Sequence, residues 1–467
     1  MEESRKKGFQ MPTAYSILFL IIFALAIITY FIPSVKNASL SQAIMAAPKG
    51  FVDAIDVCVF VLCTGGFLGV MNKTGALDAG IATVVKKLKG NELLLVPILM
   101  LIFSLGGTSY GMCEETMPFY ALVVGTMMAA GFDAMVGVAI ILFGAGVGCL
   151  GSTVNPFAIG AAIDALQGAH PNIVVNQTII IGLGALLWIL TLIISVIYVY
   201  RYAKRVKAEG RTVLSVAEKM SSEEEYGNGV DNEVEMTDAQ KIALILFVAS
   251  FGIMIISLIP WWSFDIQMPK WTGILTGIVF GDWYFQELQA WFTIMAVIIG
   301  IVSKLPEKEI VSSFIAGAAD MISVVLVIAV SRGISVLMAE TGLDMYVLEK
   351  ASGALANVNG ILFGFGSFLV YIALSFLIPS SSGLAAASMP TFGALAHSIG
   401  LSPEVMITIF CAASGVVNLV TPTSAVVMGG TQIARIEYPT WVKFAIKLVG
   451  ILVVICAIVV SVAMTLL

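Results

Sequence analysis

Long apolar runs alternate with short polar stretches along the whole chain. With about 20 apolar residues per bilayer crossing as the measure, they predict helices at 13–34, 51–72, 177–203, 240–262, 311–339 and 441–467. Four other apolar regions are too long or too interrupted to be single helices. Residues 91–130 and 357–400 are apolar on both sides of a polar break, which predicts two re-entrant hairpins with the break at each tip. Residues 133–166 are interrupted at GSTVNP (151–156) and residues 403–432 at NLVTPTS (418–424), which predicts helices broken near the midplane. A Trp-rich, broken stretch at 271–303 completes the second half.

The two breaks at the hairpin tips are versions of one another. Residues 107–118 read GTSYGMCEETMP and residues 379–390 read PSSSGLAAASMP, so hydroxyl, glycine and Met-Pro positions coincide at an offset of 272 (379 against 107). Further matches follow in order: Asp53 with Asp320, Thr74-Gly75-Ala76-Leu77-Asp78 with Thr341-Gly342-Leu343-Asp344, and Asn155-Pro156 with Thr421-Pro422. An ordered series at nearly one offset indicates a duplicated unit. The expected organisation is an N-terminus at 1–12, a first transmembrane repeat at 13–203, a linker at 204–239 and a second repeat at 240–467. The linker from Ser221 to Asp238 is acidic and polar, with too little apolar content to predict packing.

Composition makes this a membrane protein. Hydrophobic residues are 59% of the chain and charged ones 12%, against roughly 25% charged in soluble domains. Met1–Pro12 is short and charged, and the following run is long enough to span and lacks a small-residue cleavage site, so the first helix is expected to be retained. The net charge of −6 says little about partners, and nothing suggests nucleic acid. The clustering of basic residues says more. Placing Arg5–Lys7, Lys86–Lys89 and Arg201–Arg211 in the cytoplasm makes the N-terminus cytoplasmic and opens the two hairpins to opposite sides. The expected fold is therefore all-α and polytopic, with two inverted-topology repeats, each carrying a re-entrant hairpin and a broken transmembrane helix. That is a design of secondary transporters.

Hydroxyls, glycines and prolines leave backbone groups unpaired, and in hydrocarbon such groups are tolerated only where they are buried in protein or line a polar cavity. The tips and breaks are thus the expected substrate site: Thr108, Ser109, Tyr110 and Asn155 from one half, Ser380, Ser381, Ser382, Asn418, Thr421 and Thr423 from the other. Ser109, Ser152, Asn155, Ser381, Asn418 and Asp320 are candidates for holding a coupling Na+ or for H+ linkage. Helix N-termini at such breaks suit a substrate carboxylate.

The halves differ at one place. Glu114 and Glu115 of the first tip are Ala386 and Ala387 in the second. An ionised carboxylate at this depth costs about 2.5–3.5 kcal/mol or more unless a cation neutralises it. Either a cationic substrate group does so, or a glutamate pairs with Arg332, the lone arginine in 311–339, or points to the cytoplasmic vestibule. Tyr110 either stacks on a guanidinium or simply packs.

Hydroxyl-rich tips followed by Asn-Pro and Thr-Pro breaks give the chain a resemblance to the ion transporter superfamily. Within it the sequence is similar to the YfcC-like branch of the anaerobic C4-dicarboxylate carriers, which includes arginine/ornithine-type antiporters. The resemblance implies a homodimer in the bacterial inner membrane and carriage of a small amino-acid-like metabolite, by exchange or ion coupling with alternating access. In better-known members the tips carry Ser-Asn-Thr. Here the triplets are Thr108-Ser109-Tyr110 and Ser380-Ser381-Ser382.

A coupled C4-dicarboxylate carrier and an intramembrane hydrolase, using Asp53 and Asp320 or a tip serine, are the alternatives. An enzyme needs one site, whereas both halves keep hairpin and break. His170 and His397 fall in predicted loops, which argues against a zinc site or a Ser-His pair. The six cysteines have no metal-type spacing and read as small packing residues, and no cofactor is expected.

Overall fold

The computed structural model describes residues 14–77, 79–80, 83, 90–117, 119–226, 236–259, 261–264, 266–356 and 358–467. Arg5–Lys7, Lys86–Lys89 and Asp78 lie outside the described residues. No strand occurs among the described residues, and eight helices are long and apolar enough to cross a membrane.

After α1 (Ala14–Ile28), α2 (Leu40–Asp53) and α3 (Ile55–Lys73) meet at a kink at Ala54. The helix expected at 51–72 is thus only the second part of a longer pair. Leu40–Gly50 was illegible because it is weakly apolar and contains Pro48. Its start is fixed by a capping box, with Ser39 Oγ accepting from Gln42 N at 3.1 Å and Ser39 N donating to Gln42 Oε1 at 2.9 Å.

The first hairpin is α4 (Leu95–Tyr110) and α5 (Phe119–Ala129). Next come α6 (Ala134–Leu150), a break at 151–155, a π-turn at Pro156–Gly160 and α7 (Ala161–Ala169). The long α8 (Gln177–Glu209) runs on through the basic cluster and is followed by α9 (Val216–Tyr226).

The second half contains α10 (Asp238–Leu258) and α11 (Phe285–Val302). Of the Trp-rich stretch at 271–303 only the latter part is α-helical, with a short turn at Lys270–Gly273 at its start; another short turn, Trp261–Phe264, lies before it. Next, α12 (Glu307–Asp320) and α13 (Ile322–Thr341) meet at Met321, dividing the helix expected at 311–339. A short α14 (Leu343–Leu355) precedes the second hairpin, α15 (Gly360–Leu377) and α16 (Ser381–Ser398). The second broken helix is α17 (Pro403–Val417) and α18 (Ala425–Ile433), and α19 (Tyr438–Leu466) is last.

Two packings position the site. α2 lies along α13 and α3 along α12, so the two kinked pairs cross head to tail. They approach backbone to backbone: a Cβ on Gly50 would sit 2.4 Å from Gly333 N, and one on Gly317 2.2 Å from Gly65 O. The broken helices α6 and α17 form the buried centre, each clasped by its hairpin. There a Cβ on Gly107 of α4 would meet Ala145 O of α6 at 2.2 Å.

The linker also departs from expectation. Residues 216–226 fold as α9 with Glu218 and Ser222 buried, while residues 227–235 lie outside the described residues. Polar contacts hold α9 where apolar area does not. Glu218 accepts from Ser215 N at 2.7 Å and Glu437 N at 2.9 Å, Tyr226 Oη donates to Ile433 O at 2.7 Å, and Arg435 pairs with Glu225 at 2.8 Å. Just upstream, Asp133 accepts from Tyr202 and from Thr212. The segment thus straps the end of α8 to the turn between α18 and α19.

Candidate functional site

A cavity of about 160 Å³ opens where the first tip, the two breaks, the start of α16 and the middle of α13 converge. Glu114, Glu115, Asn155, Ser380, Ser381, Ser382, Asn418 and Thr423 line it, which brings together eight of the residues expected from the sequence.

On the first-half side the chain leaves α4 at Gly111, whose φ of 82° is the left-handed conformation that glycine adopts readily. Its missing side chain matters too, since a Cβ there would lie 2.5 Å from Asn155 Oδ1. A single turn at Glu114–Thr116 follows. Glu115 is 3% exposed and its Oε2 accepts from Cys113 N at 3.0 Å, and Thr116 Oγ1 donates to Cys113 O at 2.6 Å. Asn155 Oδ1 caps the turn after the break by accepting from Phe157 N at 3.0 Å and Ala158 N at 3.2 Å. Its Nδ2 donates to Ser152 Oγ at 3.0 Å.

The second-half side has no carboxylate of its own at the tip. Ser380 Oγ accepts from Gly383 N at 3.1 Å, so α16 begins at Ser381 and the PSSSGLAAAS stretch is almost wholly helix. Ser381 and Ser382 are its first turn. Ser424 caps α18, whose first residues Ala425 and Val426 also line the cavity. Two helix N-termini therefore face the same space, and their unpaired amides give it partial positive character. Thr423 Oγ1 bonds Thr421 Oγ1 at 2.7 Å and Phe376 O at 3.1 Å, and Asn418 Nδ2 reaches Ser414 Oγ at 3.5 Å.

Six expected residues lie off the cavity wall. Thr108, Ser109 and Tyr110 are the last turn of α4, because the helix continues to Gly111. Thr108 Oγ1 donates to Gly151 O at 2.6 Å, and Thr108 O accepts from Thr153 N at 2.8 Å, stitching hairpin to break. Ser109 Oγ turns back to Leu105 O at 2.6 Å, and Tyr110 is wholly buried. Ser152 Oγ donates to Cys149 O at 2.7 Å. Thr421 is buried behind Thr423, and Asp320 is exposed at the end of α12.

Arg332, expected only as an ion-pair partner for a glutamate, lines the cavity from α13. Its Nε instead meets Asp53 Oδ2 at 3.0 Å. The kink that places Asp53 there had no signal beyond the matching Asp320. Cys113, Cys149 and Cys411 also line the cavity rather than simply filling core.

Comparison with known proteins agrees with a carrier. The pattern of the DcuC family, described as C4-dicarboxylate anaerobic carrier, matches residues 42–465. A Haemophilus influenzae protein described only as uncharacterised is 31% identical over 420 residues, 90% of this chain and 77% of that one. YfcC of Escherichia coli, described provisionally as a basic amino acid antiporter, is 25% identical over 418 residues, 87% of this chain and 77% of its own. Two solved structures are similar at a greater distance. MtrF of Neisseria gonorrhoeae, described with a class of antimetabolite efflux pumps, has 16% identity and a TM-score of 0.45, with 98% of this chain and 96% of that one covered. The YdaH transporter of Alcanivorax borkumensis has 14% identity and a TM-score of 0.48, with 97% and 98% covered. Matched over most of its length, this multi-pass membrane protein belongs to the DcuC family of C4-dicarboxylate carriers and, within it, is similar to YfcC.

Proposed function

We propose that this protein is a secondary exchanger of a small amino-acid-like metabolite, with a basic amino acid of the arginine or ornithine type as its substrate. The observation that carries the reading is the charge in the cavity. Glu114 and Glu115 line it together with Arg332, and the guanidinium is already paired with Asp53. The carboxylates left without an ion-pair partner therefore lie on the first tip, and any charge they carry is negative. A side-chain ammonium or guanidinium fits there, while the substrate carboxylate fits the N-termini of α16 and α18 and the free edge of Arg332. A dicarboxylate would add two negative charges to two carboxylates.

The two-unit plan supports alternating access. Hairpin and broken helix occur twice, and the kinks at Ala54 and Met321 fall 267 residues apart (321 against 54), which supports two units of opposite topology. The basic residues near helix ends support a cytoplasmic N-terminus in a bacterial inner membrane.

Counterflow in proteoliposomes tests the substrate. Labelled arginine uptake should be driven by internal arginine or ornithine and left unchanged by internal succinate or fumarate, with and without a sodium gradient. Dicarboxylate counterflow without arginine counterflow would overturn the reading.

A further inference from the structure

Cys113 and Cys149 meet where the first hairpin tip rests on the end of α6. Their sulfurs are 3.5 Å apart, and Cys149 Sγ also donates to Met112 O at 3.4 Å. Both thiols are free and half-buried at the cavity wall, whereas Cys411, which also lines it, is buried like Cys58 and Cys456. In this conformation the Thr108–Gly151 and Thr153–Thr108 bonds and Gly111 seated on Asn155 hold the segments that carry them side by side. The thiols are thus already at contact distance, and a bond of about 2.05 Å needs only a small shift of the tip.

We infer that Cys113 and Cys149 form an oxidisable dithiol, a modification site for hydroperoxides, whose disulfide pins the first tip to the broken helix and stops turnover. The chemistry balances with hydrogen peroxide as the two-electron oxidant. One thiolate attacks a peroxide oxygen, the O–O bond breaks, and a sulfenic acid and one water result. The second thiolate attacks the sulfenic sulfur, the S–O bond breaks, and a second water leaves as the disulfide forms. Both thiol protons end in water. Bridging draws Cys113 toward α6, and Glu114 and Glu115 follow because they are next in the chain and Glu115 is bonded to the Cys113 amide. The transport consequence rests on the proposed exchange function, whereas bridge formation does not.

The test uses the full chain in proteoliposomes treated with hydrogen peroxide, then denatured, alkylated and mapped by mass spectrometry. Alkylatable thiols should fall from six to four, with one peptide joining residues 113 and 149, and dithiothreitol should restore all six. In Cys113→Ser and Cys149→Ser the count should not fall by a pair. Six alkylatable thiols after oxidation, or a bridge elsewhere, would overturn the assignment. Arginine counterflow should drop at least about tenfold in the bridged protein and recover on reduction. Undiminished counterflow with the bridge present would overturn the block. If reduced protein exchanges no arginine, the substrate reading fails while the thiol map still decides the dithiol.

Discussion

Arg332 and Asp53 face each other at 3.0 Å from the middle of α13 and the end of α2, and among the described residues no ion pair joins Arg332 to Glu114 or Glu115. The guanidinium is 23% exposed and the carboxylate 54%, so the arginine is the more enclosed partner. Glu114 and Glu115 line the cavity without an ion-pair partner among the described residues, so a negative charge on either is open to a cationic substrate group.

Neutralising that charge should abolish recognition of the basic side chain. Glu114→Gln should weaken arginine counterflow by on the order of 10- to 100-fold, as expected for losing one charge-assisted bond of about 1.5–3 kcal/mol, while expression and detergent elution stay normal. Glu115→Gln should have the smaller effect, since Glu115 is already bonded to the Cys113 amide. Normal arginine transport by both variants would rule out the cationic substrate.

Arg332 should discriminate for a substrate carboxylate. In competition assays the parent protein should prefer arginine to arginine methyl ester, and Arg332→Met should lose that preference. A preference surviving in Arg332→Met would place the carboxylate on the hairpin amides alone.

Gly107→Ala places a methyl 2.2 Å from a backbone carbonyl and should destabilise the protein by about 1–3 kcal/mol. Gly182→Ala, where a Cβ meets nothing within 4 Å, is the control and should be neutral or slightly stabilising. Unfolding temperatures in one detergent compare them directly, and equal values would show that α4 and α6 separate without cost.

The strap predicts a pH dependence. Burial acts to raise the Glu218 carboxyl, but hydrogen bonds from Ser215 and the Glu437 amide outweigh it and hold the group below its ordinary value. Such a group stabilises the docked strap fully above the unfolded value of about 4.3, and that stability is lost as pH falls through the lower folded value. Amide exchange at Ser215 and Glu437, corrected for intrinsic rates, should show protection from neutral pH down to about 4.3 and opening below it. Glu218→Gln should flatten the profile.

Hairpins and broken helices were legible because their cause is local: an apolar run interrupted by Gly, Ser, Asn and Pro. The kinks at Ala54 and Met321 were not, since an apolar helix bends there through packing against the crossing pair and without a proline or glycine at the hinge. Residue type marks Asn155 and Ser380 as substrate-site residues, yet each also works as a cap, a use that needs the helix boundary to be known. Ser109 shows the same limit from the other side, because which face of α4 a hydroxyl takes depends on where α4 ends. Arg332 was visible as a charge in an apolar run, but only the fold brings it to Asp53.

The difference between the two tips has an electrical consequence. Carboxylates stand on the first tip alone, where the second carries Ala386 and Ala387. If that tip crosses the membrane field with its charge uncompensated, each elementary charge is worth about 2.3 kcal/mol per 100 mV. Returning with a cationic cargo cancels part of that burden, and a strict one-for-one swap of equally charged substrates moves no net charge, so the membrane voltage would neither drive nor oppose it.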